Sequence, residues 1–81
     1  MHDRASTSSF PERLASAVRR RRVDLSLRQV ELAELAGCST RFVHTVEAGK
    51  ATVRLDKLLA VLHVLGMRLA IWGGVRRRGG G

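Results

Sequence analysis

The stretch QVELAELAGCSTRFVHTVEA, residues 29–48, decides the fold of this chain. Its pattern is typical of two short amphipathic helices joined by a tight turn. Gly37 is expected to end the first helix, and Ser39 supplies an N-cap oxygen from which the second helix begins. The sequence therefore predicts a helix pair that buries one side and presents a polar outer face.

Local signals also place the start and the packing of this pair. Ser26 is predicted to be the N-cap of the first helix, because Gln29 follows at capping-box spacing. Ala33 faces the turn and carries only a methyl group, so the two helix axes can approach closely. A larger residue at that position would splay them.

The second helix of the pair has two distinct faces. Val43 and Val46 share one face, which is expected to be buried. The opposite face carries four polar side chains at spacings typical of a helix surface: Thr40, Arg41, His44 and Thr45. This polar face is the one available to a binding partner.

The helix predicted upstream begins at Ser9, with Pro11 in its first turn and Glu12 at the capping-box position. Phe10, Leu14 and Val18 form its core stripe. The other side of this helix is basic and carries Arg13, Arg19, Arg20 and Arg21. For Arg20 and Arg21, a solvated face and a phosphate-facing surface are equally open interpretations.

A fourth helix is predicted to start after Thr52 and to end at Gly66. Its leucines lie at three- and four-residue spacing and are expected to complete the core: Leu55, Leu58, Leu59, Leu62 and Leu65. Val61 and Val64 widen this apolar surface, which favours packing of part of the helix against another chain. A broader internal core is the alternative.

Residues 67–72 alternate between two faces, a period typical of a β-strand. No other segment has strand character, and an isolated strand leaves its backbone groups unpaired. We therefore expect it to pair with the same segment of a second copy. The residues predicted to form this dimer contact are Met67, Leu69, Ile71 and Trp72.

Composition limits the class of protein and its partners. The 81 residues suit one small domain, and 15 basic against 7 acidic residues give a net charge of +8. This balance indicates a polyanionic partner, with nucleic acid as the leading candidate. A single cysteine forms no internal disulfide, and the polar residues 1–9 contain no apolar signal segment, so a location in a reducing cytoplasm is expected.

Three other classes are disfavoured. Residues 58–75 form a mostly apolar run, but Arg68 lies in its middle and His63 and Gly66 interrupt it, which argues against a membrane anchor. Cys38 and His44 have no second pair of metal ligands nearby. No catalytic constellation or phosphate-binding loop is present, so no enzyme activity, cofactor, metal or small-molecule substrate is predicted.

At fixed offsets the chain resembles the helix-turn-helix of the phage-repressor family (Cro/C1, Xre-type). The pattern QxxLAxxxGxSxxxVxxxExG is matched by Gln29, Leu32, Ala33, Gly37, Ser39, Val43, Glu47 and Gly49. Residues 51–72 resemble the HipB-type antitoxin subgroup, in which a fourth helix precedes a short strand. The resemblance implies a mainly α, lambda-repressor-like domain of four or five helices with one C-terminal β-strand pairing across a homodimer. Residues 9–72 would form this domain, between a disordered tail at 1–8 and a flexible basic tail at 73–81.

The resemblance also implies roles for individual residues. Arg22 and Glu47 are expected to form a structural ion pair between the first and third helices. The residues predicted to contact double-stranded DNA are Arg28, Gln29, Ser39, Thr40, Arg41, His44, Thr45 and Lys50. Of these, Arg41, His44 and Thr45 are expected to read base edges, and the others to bind mainly the backbone.

A twofold dimer of this family would bind a palindromic operator with half-sites about ten base pairs apart. The HipB-like resemblance further implies an autorepressor and antitoxin whose partner is a HipA-type serine/threonine kinase toxin. A phage-type transcriptional regulator without a toxin partner is the alternative. Non-specific packaging of nucleic acid is a third hypothesis.

Overall fold

The computed structural model describes residues 9–50 and 52–70, which form four α-helices. Helix α1 spans Phe10–Asp24, α2 spans Gln29–Ala36, α3 spans Thr40–Glu47 and α4 spans Leu55–Val64. Helix α2 packs against α3 and α4, and α1 packs against α3. The mainly α prediction is confirmed at this level, and the core lies where the four helices meet.

The start of α1 agrees with the sequence prediction. The Ser9 hydroxyl accepts a hydrogen bond from the Glu12 amide at 3.3 Å, and the Glu12 carboxylate accepts from the Ser9 amide at 3.0 Å. The predicted core stripe is only partly correct. Val18 is fully buried, but Phe10 is 51% exposed because it is the first residue of the helix and lies beyond the packed part of α1.

The predicted N-cap of α2 is wrong. Ser26 has a positive φ of 60° and belongs to the turn that ends α1, where its amide donates to the Val23 carbonyl at 2.9 Å. An N-cap residue needs an extended backbone, which Arg28 provides. The Glu31 carboxylate accepts from the Arg28 amide at 2.8 Å and so satisfies this helix start.

The turn between α2 and α3 is the one that the sequence predicts. Gly37 adopts a left-handed conformation with φ 73°, and the Cys38 amide donates to the Ala33 carbonyl at 3.0 Å. The Ser39 hydroxyl then caps α3 by accepting from the Phe42 amide at 3.0 Å. Ala33 is buried at this turn, where the close approach of the two helices requires a small side chain.

Helix α4 begins later than predicted, and its buried face is different. Arg54, not Thr52, is its N-cap residue, and Leu55 and Leu59 are 58% and 45% exposed. The expected internal stripe is therefore wrong for these two leucines. Val61 is fully buried in the chain's own core, which supports the broader internal core over packing of Val61 against another chain. Helix α4 packs against α2 and buries a single face that carries Leu58, Val61 and Leu62, and Leu65 at its C-cap joins them in the core.

Gly66, with φ 70°, ends α4, and the Met67 amide donates to the Leu62 carbonyl at 2.8 Å. The residues that follow show the predicted alternation, because Met67 and Leu69 pack against the core whereas Arg68 and Ala70 are exposed. Residues 67–70 are not a strand, and the described parts of the chain, 9–50 and 52–70, contain no strand with which they could pair. Ile71 and Trp72 lie outside the described residues, so the paired strand stays a prediction.

None of the helices in residues 9–50 and 52–70 is long and apolar enough to cross a membrane.

Candidate nucleic-acid interface

A two-pronged ion pair joins the end of α1 to the end of α3. The Arg22 guanidinium donates from Nε to Glu47 Oε2 at 2.6 Å and from Nη2 to Glu47 Oε1 at 2.9 Å. Its Nη1 donates to the Leu27 carbonyl at 2.8 Å. One guanidinium thus holds α1, the loop before α2 and the end of α3 in fixed relation.

Gln29 belongs to the same network. Its Nε2 donates to Glu47 Oε1 at 3.1 Å, and its side chain is half-buried. This amide group therefore has a structural contact in addition to its predicted role at DNA. The bond also fixes which end of the amide faces Glu47, because only the nitrogen can donate.

The network sets the charge state of Glu47. Burial by itself raises the pKa of this carboxyl, but hydrogen bonds from Arg22 and Gln29 and the charges of Arg22 and Arg19 outweigh burial and hold the pKa below its ordinary value. The hydrogen bond to Glu47 likewise raises the pKa of Arg22. Both groups are charged at neutral pH, with side chains only 13% and 5% exposed.

The outer face of α3 presents most of the polar side chains predicted from the sequence. Thr40, Arg41 and His44 are exposed, whereas Val43 and Val46 are buried against the core. Thr45 is half-buried, and its hydroxyl donates to the Arg41 carbonyl at 2.9 Å. Three of the four predicted polar residues therefore lie fully on the surface, and the fourth lies at its edge.

Backbone donors and cations surround this face. Ser39 is exposed at the N-terminus of α3, where backbone amides favour an anion. Arg28 is exposed at the start of α2, with its Nη2 3.3 Å from the Glu31 carboxylate. Lys50 is exposed just after α3. All three are among the residues predicted to contact DNA, and all three are exposed.

An open cavity of about 270 Å³ lies beside the junction of the end of α1 with α3. The predicted DNA residues Gln29 and His44 line it together with Arg19 and the Arg22–Glu47 pair. A second groove of about 290 Å³ lies on another side of α3 and is lined by Arg41, Thr45 and Arg54, among others.

Two arginines have positions that the sequence analysis missed. Arg21 donates from Nε to the Leu65 carbonyl at 2.8 Å, so it caps the C-terminus of α4. This contact favours a structural role for Arg21 over the two interpretations drawn from the sequence, a solvated side chain and a phosphate contact. Arg54 lies in the groove beside α3, a placement for which the sequence gives no local signal because residues 41 and 54 meet only in the folded chain.

Cys38 packs against the core beside the turn, and burial raises the pKa of its thiol despite the charge of Lys57. Among the described residues, no three His, Cys, Asp or Glu side chains come together in a group that could hold a metal ion.

Residues 13–70 match the family described as a helix-turn-helix domain. The chain belongs to the helix-turn-helix family. It is also 41% identical over 68 residues to y4mF of Sinorhizobium fredii, an uncharacterised HTH-type transcriptional regulator. That alignment covers 84% of this chain and 90% of the relative.

Helices α2 and α3, joined by the turn at Gly37, are the two helices of the helix-turn-helix.

The backbone two residues after Glu47 accounts for the glycine at that position. Gly49 has φ 77° and lies against the first turn of α1, with the site of a Cβ 3.8 Å from the Glu12 Cα. A Cβ would be in ordinary van der Waals contact there, so the left-handed backbone is what favours glycine at this position.

Proposed function

We propose that this protein is a sequence-specific regulator of transcription that binds double-stranded DNA as a homodimer. The observation that carries the proposal is the exposed polar face of α3, which the Arg22–Glu47 pair and the buried Val43 and Val46 hold in place. The net charge of +8 favours a DNA backbone as the partner. The relative from Sinorhizobium fredii, named as an HTH-type transcriptional regulator, supports the same class.

In this proposal the side chains divide into two groups by chemistry. Arg41 forks onto the O6 and N7 atoms of a guanine, and His44 and Thr45 contact neighbouring base edges in the major groove. The backbone contacts come from Arg28, Gln29, Ser39, Thr40 and Lys50, which position α3 without reading the sequence. A dimer would present two copies of α3 about 34 Å apart to a near-palindromic operator.

The deciding experiment selects an operator from a random duplex library and then measures its affinity by mobility shift. We expect a near-palindrome that the protein prefers over random duplex by more than about a thousandfold. A preference below about tenfold would instead support non-specific packaging of nucleic acid.

Arg41→Ala tests the assignment of the base-reading group. We expect the variant to stay folded and to lose about 1 to 3 kcal/mol of discrimination at one base position, because the bidentate contact to guanine is gone. Arg20→Ala is the matched control, since it removes one exposed positive charge from α1. Unchanged base preference in Arg41→Ala would contradict the assignment.

A narrower proposal is that the regulator is also the antitoxin of a HipBA-like pair. It is favoured only by the resemblance of residues 51–72 to the HipB subgroup, and so the kinase partner stays a prediction. If it is right, a serine/threonine kinase of the HipA type co-purifies with the protein in a stable complex and inhibits growth when expressed alone. A regulator without a toxin partner would give neither result.

A further inference from the structure

The groove between α3 and the segment before α4 contains a cation that the predicted DNA-binding set does not include. Arg54 lines this groove together with Ser39, Arg41 and Thr45, three of the residues predicted to meet DNA. Its side chain is 69% exposed. Arg54 therefore shares a surface with the outer face of α3, although it lies 13 residues away from Arg41 in the chain.

The backbone of Arg54 is fixed. The residue is the N-cap of α4, and its carbonyl accepts from the Leu58 amide at 3.0 Å. Leu58 is itself buried in the core. The position of the Arg54 Cα relative to α3 is thus set by packing of the domain.

A carboxylate from the same helix orients the side chain. Arg54 donates from Nε to Asp56 Oδ1 at 3.2 Å and from Nη2 to Asp56 Oδ2 at 2.8 Å. Asp56 engages one edge of the planar guanidinium, and the remaining N–H groups on Nη1 and Nη2 are directed elsewhere. Those groups have the fork geometry that matches two oxygens of a phosphate.

We propose that Arg54 binds a phosphate of the DNA backbone beside α3, and that Asp56 is a positioning residue that orients its guanidinium for this contact. The inference rests on the proposed function, because it adds a contact to the same interface. Arg54 carries no sequence information in this role and helps to fix the register of α3 in the groove.

Affinity for a mixed-sequence duplex about three helical turns long, measured as a function of salt, tests the contact. We expect Arg54→Ala to weaken binding by about fivefold at low salt and to reduce the slope of log affinity against log salt by about 1. Arg54→Lys, which keeps the charge, should restore the slope while recovering only part of the affinity.

Arg13→Ala is the control for general charge loss, because Arg13 is exposed near the start of α1 and does not line the groove beside α3. We expect it to weaken binding less than Arg54→Ala does. Equal losses in the two variants would overturn the Arg54 contact. Absence of any salt-dependent binding by the unmodified protein would overturn the proposed function itself, so the two failures are distinguishable.

A double-mutant cycle tests the part assigned to Asp56. If Asp56 orients Arg54, the loss caused by Arg54→Ala is smaller in an Asp56→Ala background than in the unmodified protein. If Asp56 only competes with phosphate for the guanidinium, that loss is larger in the Asp56→Ala background. The second result would overturn the positioning role, and circular dichroism of each variant checks that the helices persist.

Discussion

At the residue scale, the Arg22 guanidinium connects three parts of the domain: α1, the loop before α2 and the end of α3. It binds both oxygens of Glu47 and the Leu27 carbonyl, and Glu47 in turn accepts from Gln29. Removing Arg22 or Glu47 leaves the other charge with little access to water and without its counter-charge, which costs more than the paired state gains. The network therefore holds α3 in place relative to α1. It also makes the stability of the domain sensitive to mutation of either charged residue.

A double-mutant cycle on this pair should show strong coupling. We expect Glu47→Ala to lower the free energy of unfolding by about 3 kcal/mol, because the largely buried Arg22 guanidinium then loses its counter-charge. The double variant Arg22→Ala with Glu47→Ala should lose clearly less than the sum of the single variants. Urea unfolding followed by circular dichroism measures both quantities, and additive losses would contradict the network described here.

Acid should weaken the domain through Glu47. Its folded-state pKa lies below the unfolded value of about 4.3, so the pair contributes fully above that pH and its contribution is lost as the pH falls through the folded pKa. We expect Glu47→Gln to be less stable than the unmodified protein at pH 7 and the difference to shrink in acid. Urea midpoints between neutral and strongly acidic pH report this, with Glu34→Gln as the exposed control. A difference that does not change with pH would contradict the prediction.

At the scale of the elements, helix ends decide where the polar surface lies. Ser39 caps α3 through its hydroxyl, whereas α4 begins at Arg54 without a side-chain cap. The left-handed Gly37 shortens the link between α2 and α3 to a turn. The Gly37 turn and the Ser39 cap therefore place the N-terminus of α3 at the surface proposed for DNA.

Alanine substitutions should separate the true cap from the apparent one. We expect Ser39→Ala to lower the free energy of unfolding by about 1 kcal/mol, because the Phe42 amide loses its partner. Thr52→Ala should change it by less than about 0.5 kcal/mol, since Thr52 lies outside α4. Thermal unfolding of the two variants beside Ser9→Ala, a second true cap, provides the comparison. A larger effect at Thr52 than at Ser39 would contradict the helix bounds.

At the scale of the whole molecule, the proposed operator requires two copies of α3 at a fixed distance. Met67 and Leu69 already pack on the core of their own chain, so the part of the predicted strand that the structure describes is anchored beside α4. An anchored strand loses less entropy when it pairs with its counterpart than a free one would. This placement favours pairing of the two C-terminal segments across a twofold axis.

Truncation after residue 70 should therefore abolish the dimer without unfolding the helices. We expect light scattering at micromolar concentration to give two copies for the full chain and one for the truncated chain. The circular dichroism of the two should show the same helical content, because the described core ends before the cut. A truncated chain that remains dimeric would exclude residues 71 and 72 as the pairing segment.

Local sequence signals predicted much of α1, α2 and α3. The Ser9 and Ser39 caps and the left-handed Gly37 depend on contacts within a few residues, and such contacts are formed by almost any chain that carries the same local pattern. The buried Val43 and Val46 follow from helical spacing in the same way. The outer face of α3, and with it most of the candidate site, could therefore be identified without coordinates.

Only the tertiary structure decided the features that depend on how the helices pack. Apolar spacing in α4 did not show that Val61 faces inward and Leu59 outward, because several adjacent stripes satisfy the same period and the contact with α2 selects one of them. The contact of Arg21 with Leu65 joins residues 44 positions apart. Arg54 reaches the groove beside α3 for the same reason, since distant parts of a chain meet only when a packed core brings them together.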